Sequence, residues 1–96
     1  MKILLGQSAA AAQDLKAAAT IFEGMVKKYP DIPDYRSYLG QSWTLLGQLA
    51  ANPSEAVPLY RNAREMLEDA VKRNPEQFQY KKAVEELNRL MNGAKP

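Results

Sequence analysis

Cysteine and histidine are both absent from this chain. The first absence excludes disulfides, zinc–thiolate sites and thiol nucleophiles. The second removes the commonest general base and the commonest metal ligand. A large excess of one charge is also missing: 13 basic residues face 11 acidic ones, interleaved, for a net charge of +2. That balance makes no case for nucleic acid or an anionic membrane as an obligatory partner. The five glycines, at positions 6, 24, 40, 47 and 93, do not form a phosphate-binding loop. No apolar run approaches the ~20 residues of a membrane span. The N-terminus, Met1-Lys2-Ile3-Leu4-Leu5-Gly6 followed by Ser8 and four alanines, imitates a secretory signal. Its apolar core of about four residues falls short of the roughly 7–15 such a signal needs, and the expected compartment is the cytoplasm.

Catalysis is not expected either. Glu85 and Glu86 are adjacent, so on a helix they point in different directions and do not share a proton. Asp31 and Asp34 are accounted for by capping a helix start. No cofactor or metal is implied. The basic pairs Lys27-Lys28 and Lys72-Arg73 fall at helix C-termini, where the helix dipole favours cations. Neither they nor Lys81-Lys82 are interleaved with aromatics as a base-stacking surface requires. Weak RNA binding is therefore the third-ranked reading, behind protein binding and self-association.

What remains is an ordinary globular composition, 46% apolar and 25% charged, in a 96-residue chain sized for one small domain. The chain also repeats itself. At an offset of 45 residues, six of the 22 pairs from Ala18 to Leu39 are identical. They are Ala18 with Ala63, Glu23 with Glu68, Val26 with Val71, Lys27 with Lys72, Pro30 with Pro75 and Tyr35 with Tyr80. Four of the six fall on apolar, proline and aromatic positions, where a structural unit needs them.

Apolar spacing of three and four predicts four helices, over about 8–29, 32–51, 54–73 and 75–92, in an all-α antiparallel stack of helical hairpins. Ser8, Asp31, Ser54 and Asn74 are the expected N-caps, and Met1–Gln7 a helical stub. Gly93 suits a left-handed C-cap, with residues 93–96 as a tail. Arg61 with Glu65, Arg64 with Glu68 and Glu68 with Lys72 should pair along the outer face of the third helix. One complete unit spans residues 32–74, flanked by two halves.

These residues resemble the tetratricopeptide repeat, a helix pair of 34 residues with preferred residue types at a few positions. Leu39-Gly40 and Trp43 fit its first helix; Ala63, Leu67, Ala70 and Pro75 fit its second. Ala18, Phe22, Met25 and Pro30 repeat that second pattern. Arg36 departs from it, standing where the family prefers a large apolar residue. The 45-residue unit is 11 residues longer than the family's, three helical turns that lengthen both helices without rotating their faces. Units of this length, with a junction like residues 29–36, look like those of large bacterial arrays, some attached to kinases.

The resemblance implies a non-catalytic module that binds a peptide or helix of a partner protein in a concave groove. Its inward positions would be Asp34, Ser37, Gln41, Thr44 and Gln48 on one helix and Gln79, Lys82, Glu86 and Arg89 on the last. Ser37, Gln41 and Glu86 depart from the basic and amide set with which some members clamp a C-terminal carboxylate. At the C-terminal end, Glu85 and Asn88 take the places of Gly40 and Trp43, so the fourth helix reads as a polar cap. At the N-terminal end, Ile3, Leu4, Leu5, Ala11 and Leu15 form an apolar face in need of a cover. A longer array or a second copy in a homodimer would supply it.

Overall fold

A computed structural model of the chain describes residues 5–94, with side chains from Ala10 to Gly93. Four α-helices follow one another: α1 (Leu5–Lys28), α2 (Pro33–Leu49), α3 (Pro53–Arg73) and α4 (Phe78–Ala94). Each packs on its neighbour in sequence, α2 lies between α1 and α3, and α4 also touches α2 lightly. Among the described residues there is no strand, and the architecture is the all-α hairpin stack that the spacing predicts.

The ends differ from expectation for reasons of backbone chemistry. α1 begins at Leu5 and runs straight through Ser8, because the alanines beyond it are the strongest helix formers. Ser8 is therefore not a cap. Pro33 and Pro53 sit at the first helical position, where their missing N–H is not needed. They move each start by one residue. Ile32, not Asp31, is the N-cap of α2, with no side-chain bond. Asn52, not Ser54, is the N-cap of α3: its Oδ1 accepts from the Glu55 N–H at 3.1 Å and from the Ser54 hydroxyl at 2.6 Å. Glu55 reaches back to the Ala51 N–H at 3.4 Å, closing a variant of the capping box. α2 stops at Leu49, with Ala50 extended, to make room for that cap.

Asn74 is already spent on the C-terminus of α3, where its N–H donates to the Ala70 carbonyl at 2.9 Å. Asn74 is not an N-cap of α4: Pro75-Glu76 form a turn, closed by the Gln77 N–H on the Asn74 carbonyl at 3.2 Å, and α4 starts at Phe78. Gly93 remains helical, and no glycine among the described residues has positive φ. Of the three ion pairs expected along α3, only Arg64–Glu68 closes among the described residues, at 3.6 Å.

The core lies on α3. Ala56, Tyr60, Ala63, Leu67 and Ala70, one stripe at spacings of four and three, are all buried, the last three completely. Leu87 meets them from α4, and Trp43, Val84, Leu90 and Met91 pack round the edge. α2 lies close to this stripe because it has glycines opposite the large side chains. A Cβ on Gly40 would stand 2.7 Å from Leu67 Cγ and 3.0 Å from the Ala63 carbonyl oxygen. A Cβ on Gly47 would stand 2.8 Å from Tyr60 Cδ1. The buried arc of α2 is therefore wider than its apolar pattern suggests. Arg36, Ser37 and Ser42 are buried, while Tyr38 and Leu45 are about half exposed.

Arg36 is tolerated at its buried position because it is fully engaged. It donates to the Pro30 carbonyl at 2.5 Å and pairs with Asp69 of α3 at 2.5 Å. Asp69 also holds Arg73 at 3.2 Å. A charge out of water needs such partners.

The glycines separate by role. Gly24 has nothing within 4 Å of an added Cβ. Gly24→Ala should stabilise the chain by about 0.5–1 kcal/mol through helix propensity. Gly47→Ala should destabilise it by about 1–3 kcal/mol through the clash with Tyr60. Urea unfolding followed by circular dichroism at 222 nm (the ordinary helix band) reads both, and equal effects at the two sites would refute the packing.

Candidate functional site

A groove of about 830 Å³ opens between α2 and α4. Gln41, Thr44, Leu45 and Gln48 line it from α2, and Gln79, Lys82, Ala83, Glu85, Glu86, Arg89 and Leu90 from α4. Seven of the nine inward positions expected from the sequence meet here: Gln41, Thr44, Gln48, Gln79, Lys82, Glu86 and Arg89. The other two do not line it. Ser37 is only 2% exposed, because α2 turns that side into the bundle. It acts from beneath: its Oγ accepts from Gln41 Nε2 at 3.0 Å and fixes that amide at the rim. Asp34 is taken up by α4, its carboxylate accepting from the Tyr80 hydroxyl.

That bond sets the shape of the groove. Tyr80, 3% exposed, and Asp34 lie near the starts of their helices and join α4 to α2 there. Beyond the tie the two helices share little contact, and the lining residues follow. The floor is apolar, made of Leu45, Ala83 and Leu90, and the rim carries three glutamines, Lys82, and Arg89 paired to Glu86. Thr44 returns its hydroxyl to the Gly40 carbonyl at 2.8 Å, so its methyl, not its oxygen, is free to contact the groove.

Leu45, Ala83, Glu85 and Leu90 are the lining residues that the sequence reading missed. Their signal was present. Gln41-Leu45-Gln48 and Gln79-Ala83-Glu86-Leu90 are each one stripe at spacings of three and four. The apolar members also fit the apolar stripes of their own helices, which is what places them in the core on the sequence.

The N-terminal face divides. Ile3 and Leu4 lie outside the described residues, and Leu5 opens α1. Ala11 and Leu15 are half-buried, like Ala18, Phe22 and Met25 further along. Their counterparts at the 45-residue offset, Ala56, Tyr60, Ala63, Leu67 and Ala70, are all buried. α2 covers part of this strip, with Phe22 against Tyr38 at 5.5 Å between ring centroids, and leaves the rest open. At the other end Glu85 and Asn88 are exposed.

Among the described residues no three acidic side chains converge to hold a metal, and no helix is long and apolar enough to cross a membrane. The fold and groove define an all-α hairpin stack with an open amphipathic cleft. No family model, curated protein or solved structure matches the chain.

Burial, the hydrogen bond to Asp34 and the charge of that carboxylate push the Tyr80 hydroxyl from 10.0 up to about 12. A folded value above the unfolded one gives stability that is complete below about pH 10 and lost as pH rises to about 12. The fall should reach about 2–3 kcal/mol. Burial raises Tyr60 as well, so the diagnostic is the difference between wild type and Tyr80→Phe. The variant should be less stable at neutral pH and lose less on going to alkali. Parallel curves from urea titrations at several pH values would contradict this role for the bond.

Proposed function

We propose that the chain is a non-catalytic protein-interaction module that binds an extended peptide or a helix of a partner in the groove between α2 and α4. The observation that carries this reading is the lining itself. An apolar floor with a rim of glutamines and a few charges is the combination that takes side chains into a cleft while satisfying a peptide's backbone. Gln41, Gln48 and Gln79 each offer a donor and an acceptor, matching the needs of an unpaired backbone. Lys82 is the cation on the rim that no described ion pair occupies, which favours a ligand carrying an acidic residue near Gln79 and Lys82. The resemblance to the tetratricopeptide repeat supports the same face.

The proposal is tested with a displayed peptide library selected against the intact chain, followed by mapping of the selected peptides on ¹⁵N-labelled protein. Binding should perturb Leu45, Ala83 and Leu90. It should fall by about tenfold or more in Leu45→Lys, the equivalent of about 1.4 kcal/mol. Leu45 is 48% exposed, so the substitution leaves the fold intact. Peptides whose binding ignores Leu45→Lys, or a library that yields no binder, would count against the groove.

A further inference from the structure

We infer that α1 is a self-association helix: a second copy of this chain docks antiparallel on its open face, about a two-fold axis near Ala18 and Ile21. Among the described elements α1 touches only α2. Ala19 faces that contact and is 4% exposed, with Ala12 and Val26 half-buried on the same line. The adjoining flank is only partly covered among the described residues. Ala11, Ala18 and Met25, half-buried, and Asp14, Ile21 and Lys28, exposed, run along it at alternating spacings of three and four, the stripe that packs one helix along another. Ile21 is 64% exposed, the most exposed aliphatic side chain of the described core-type residues.

This stripe complements itself. In the antiparallel register centred between Ala18 and Ile21, each Ile21 lies over Ala18 of the other copy, large against small. Ala17 and Gly24 flank it with almost no side chain, and nothing in the chain stands within 4 Å of a Cβ placed on Gly24. The backbones can therefore approach closely. The ends are complementary in charge. Asp14 of one copy comes within about 4–5 Å along the axis of Lys28 of the other, at about 1.5 Å per residue, and the relation occurs twice. Neither Asp14 nor Lys28 has an ion-pair partner among the described residues of its own chain.

Head-to-tail stacking does not compete, because the free side of α4 carries exposed Glu85 and Asn88 where α2 has Gly40 and Trp43. A two-fold pairing closes on itself after two copies. One helix pair buries less than the ~1,600 Å² of a standard interface, so the dimer should be weak, with a dissociation constant between micromolar and millimolar.

Sedimentation velocity of the full chain over that range tests the inference. A monomer–dimer equilibrium is expected, with the dissociation constant raised by about tenfold or more in Ile21→Lys. Helicity should be unchanged, since Ile21 is exposed. Asp14→Lys or Lys28→Asp alone should weaken the dimer, and the two together should restore it. The chain lacks cysteine, so Ile21→Cys should form an interchain disulfide on mild oxidation while Glu23→Cys, on the far side of α1, should not. A chain that stays monomeric at millimolar concentration, a dimer indifferent to Ile21→Lys, or larger open-ended species would each overturn it.

Discussion

The close approach of α2 to α3 is the constraint on which the rest of the structure depends. Gly40 and Gly47 leave room for Leu67 and Tyr60, and those two side chains close the centre of a core that α2, α3 and α4 share. Without that approach Ala63 and Ala70, both fully buried, would face a gap too small for water and too large for contact. Interlocking of large against absent side chains also fixes the register of the hairpin. The two glycines are seven apart, as are Tyr60 and Leu67, so one sliding position satisfies both.

Two polar ties then orient the outer helices on this centre. Arg36 bridges α2 to Asp69 of α3 and to the Pro30 carbonyl in the α1–α2 turn. Tyr80 bridges α4 to Asp34 of α2. Each carries a polar group out of water and is directional in a way apolar contacts are not. The second tie holds α4 against α2 at one end, so a cleft is left along the remainder. The groove is thus a consequence of where a single buried tyrosine finds its acceptor. In the first half of the repeat the counterpart, Tyr35, has no such helix beside it among the described residues and rests half-buried on Tyr29, at 5.9 Å between rings.

Much of this was legible in the sequence. The repeat, the four helices, the complete burial of Leu67 and Ala63 and the need for glycine at position 40 follow from spacing and residue type. What could not be read belongs to long-range choices. The prolines at 33 and 53 shifted the caps by one and two residues because a ring at the first helical position competes with a nearby Asp or Ser for the start. The burial of Arg36 and Ser37 depended on α2 being flanked on three sides, which no local pattern announces. Gly47 was as important as Gly40, but its partner, Tyr60, lies across the hairpin, and only the fold brings the two together. Leu45 fits the core stripe of α2 by spacing, next to Leu46 and Leu49. Its place on the glutamine stripe, which now forms the groove, was the contrary signal.

The central claim is that space vacated at Gly40 is filled by Leu67, and a double-mutant cycle measures it. Gly40→Ala alone should destabilise the chain by about 1–3 kcal/mol and Leu67→Ala alone by about 2–5 kcal/mol. Combined, they should cost at least about 1 kcal/mol less than the sum, because alanine at position 67 clears the room that the new methyl group needs. Strict additivity, or a Gly40→Ala chain stabilised by about 1 kcal/mol as helix propensity alone would have it, would contradict the account.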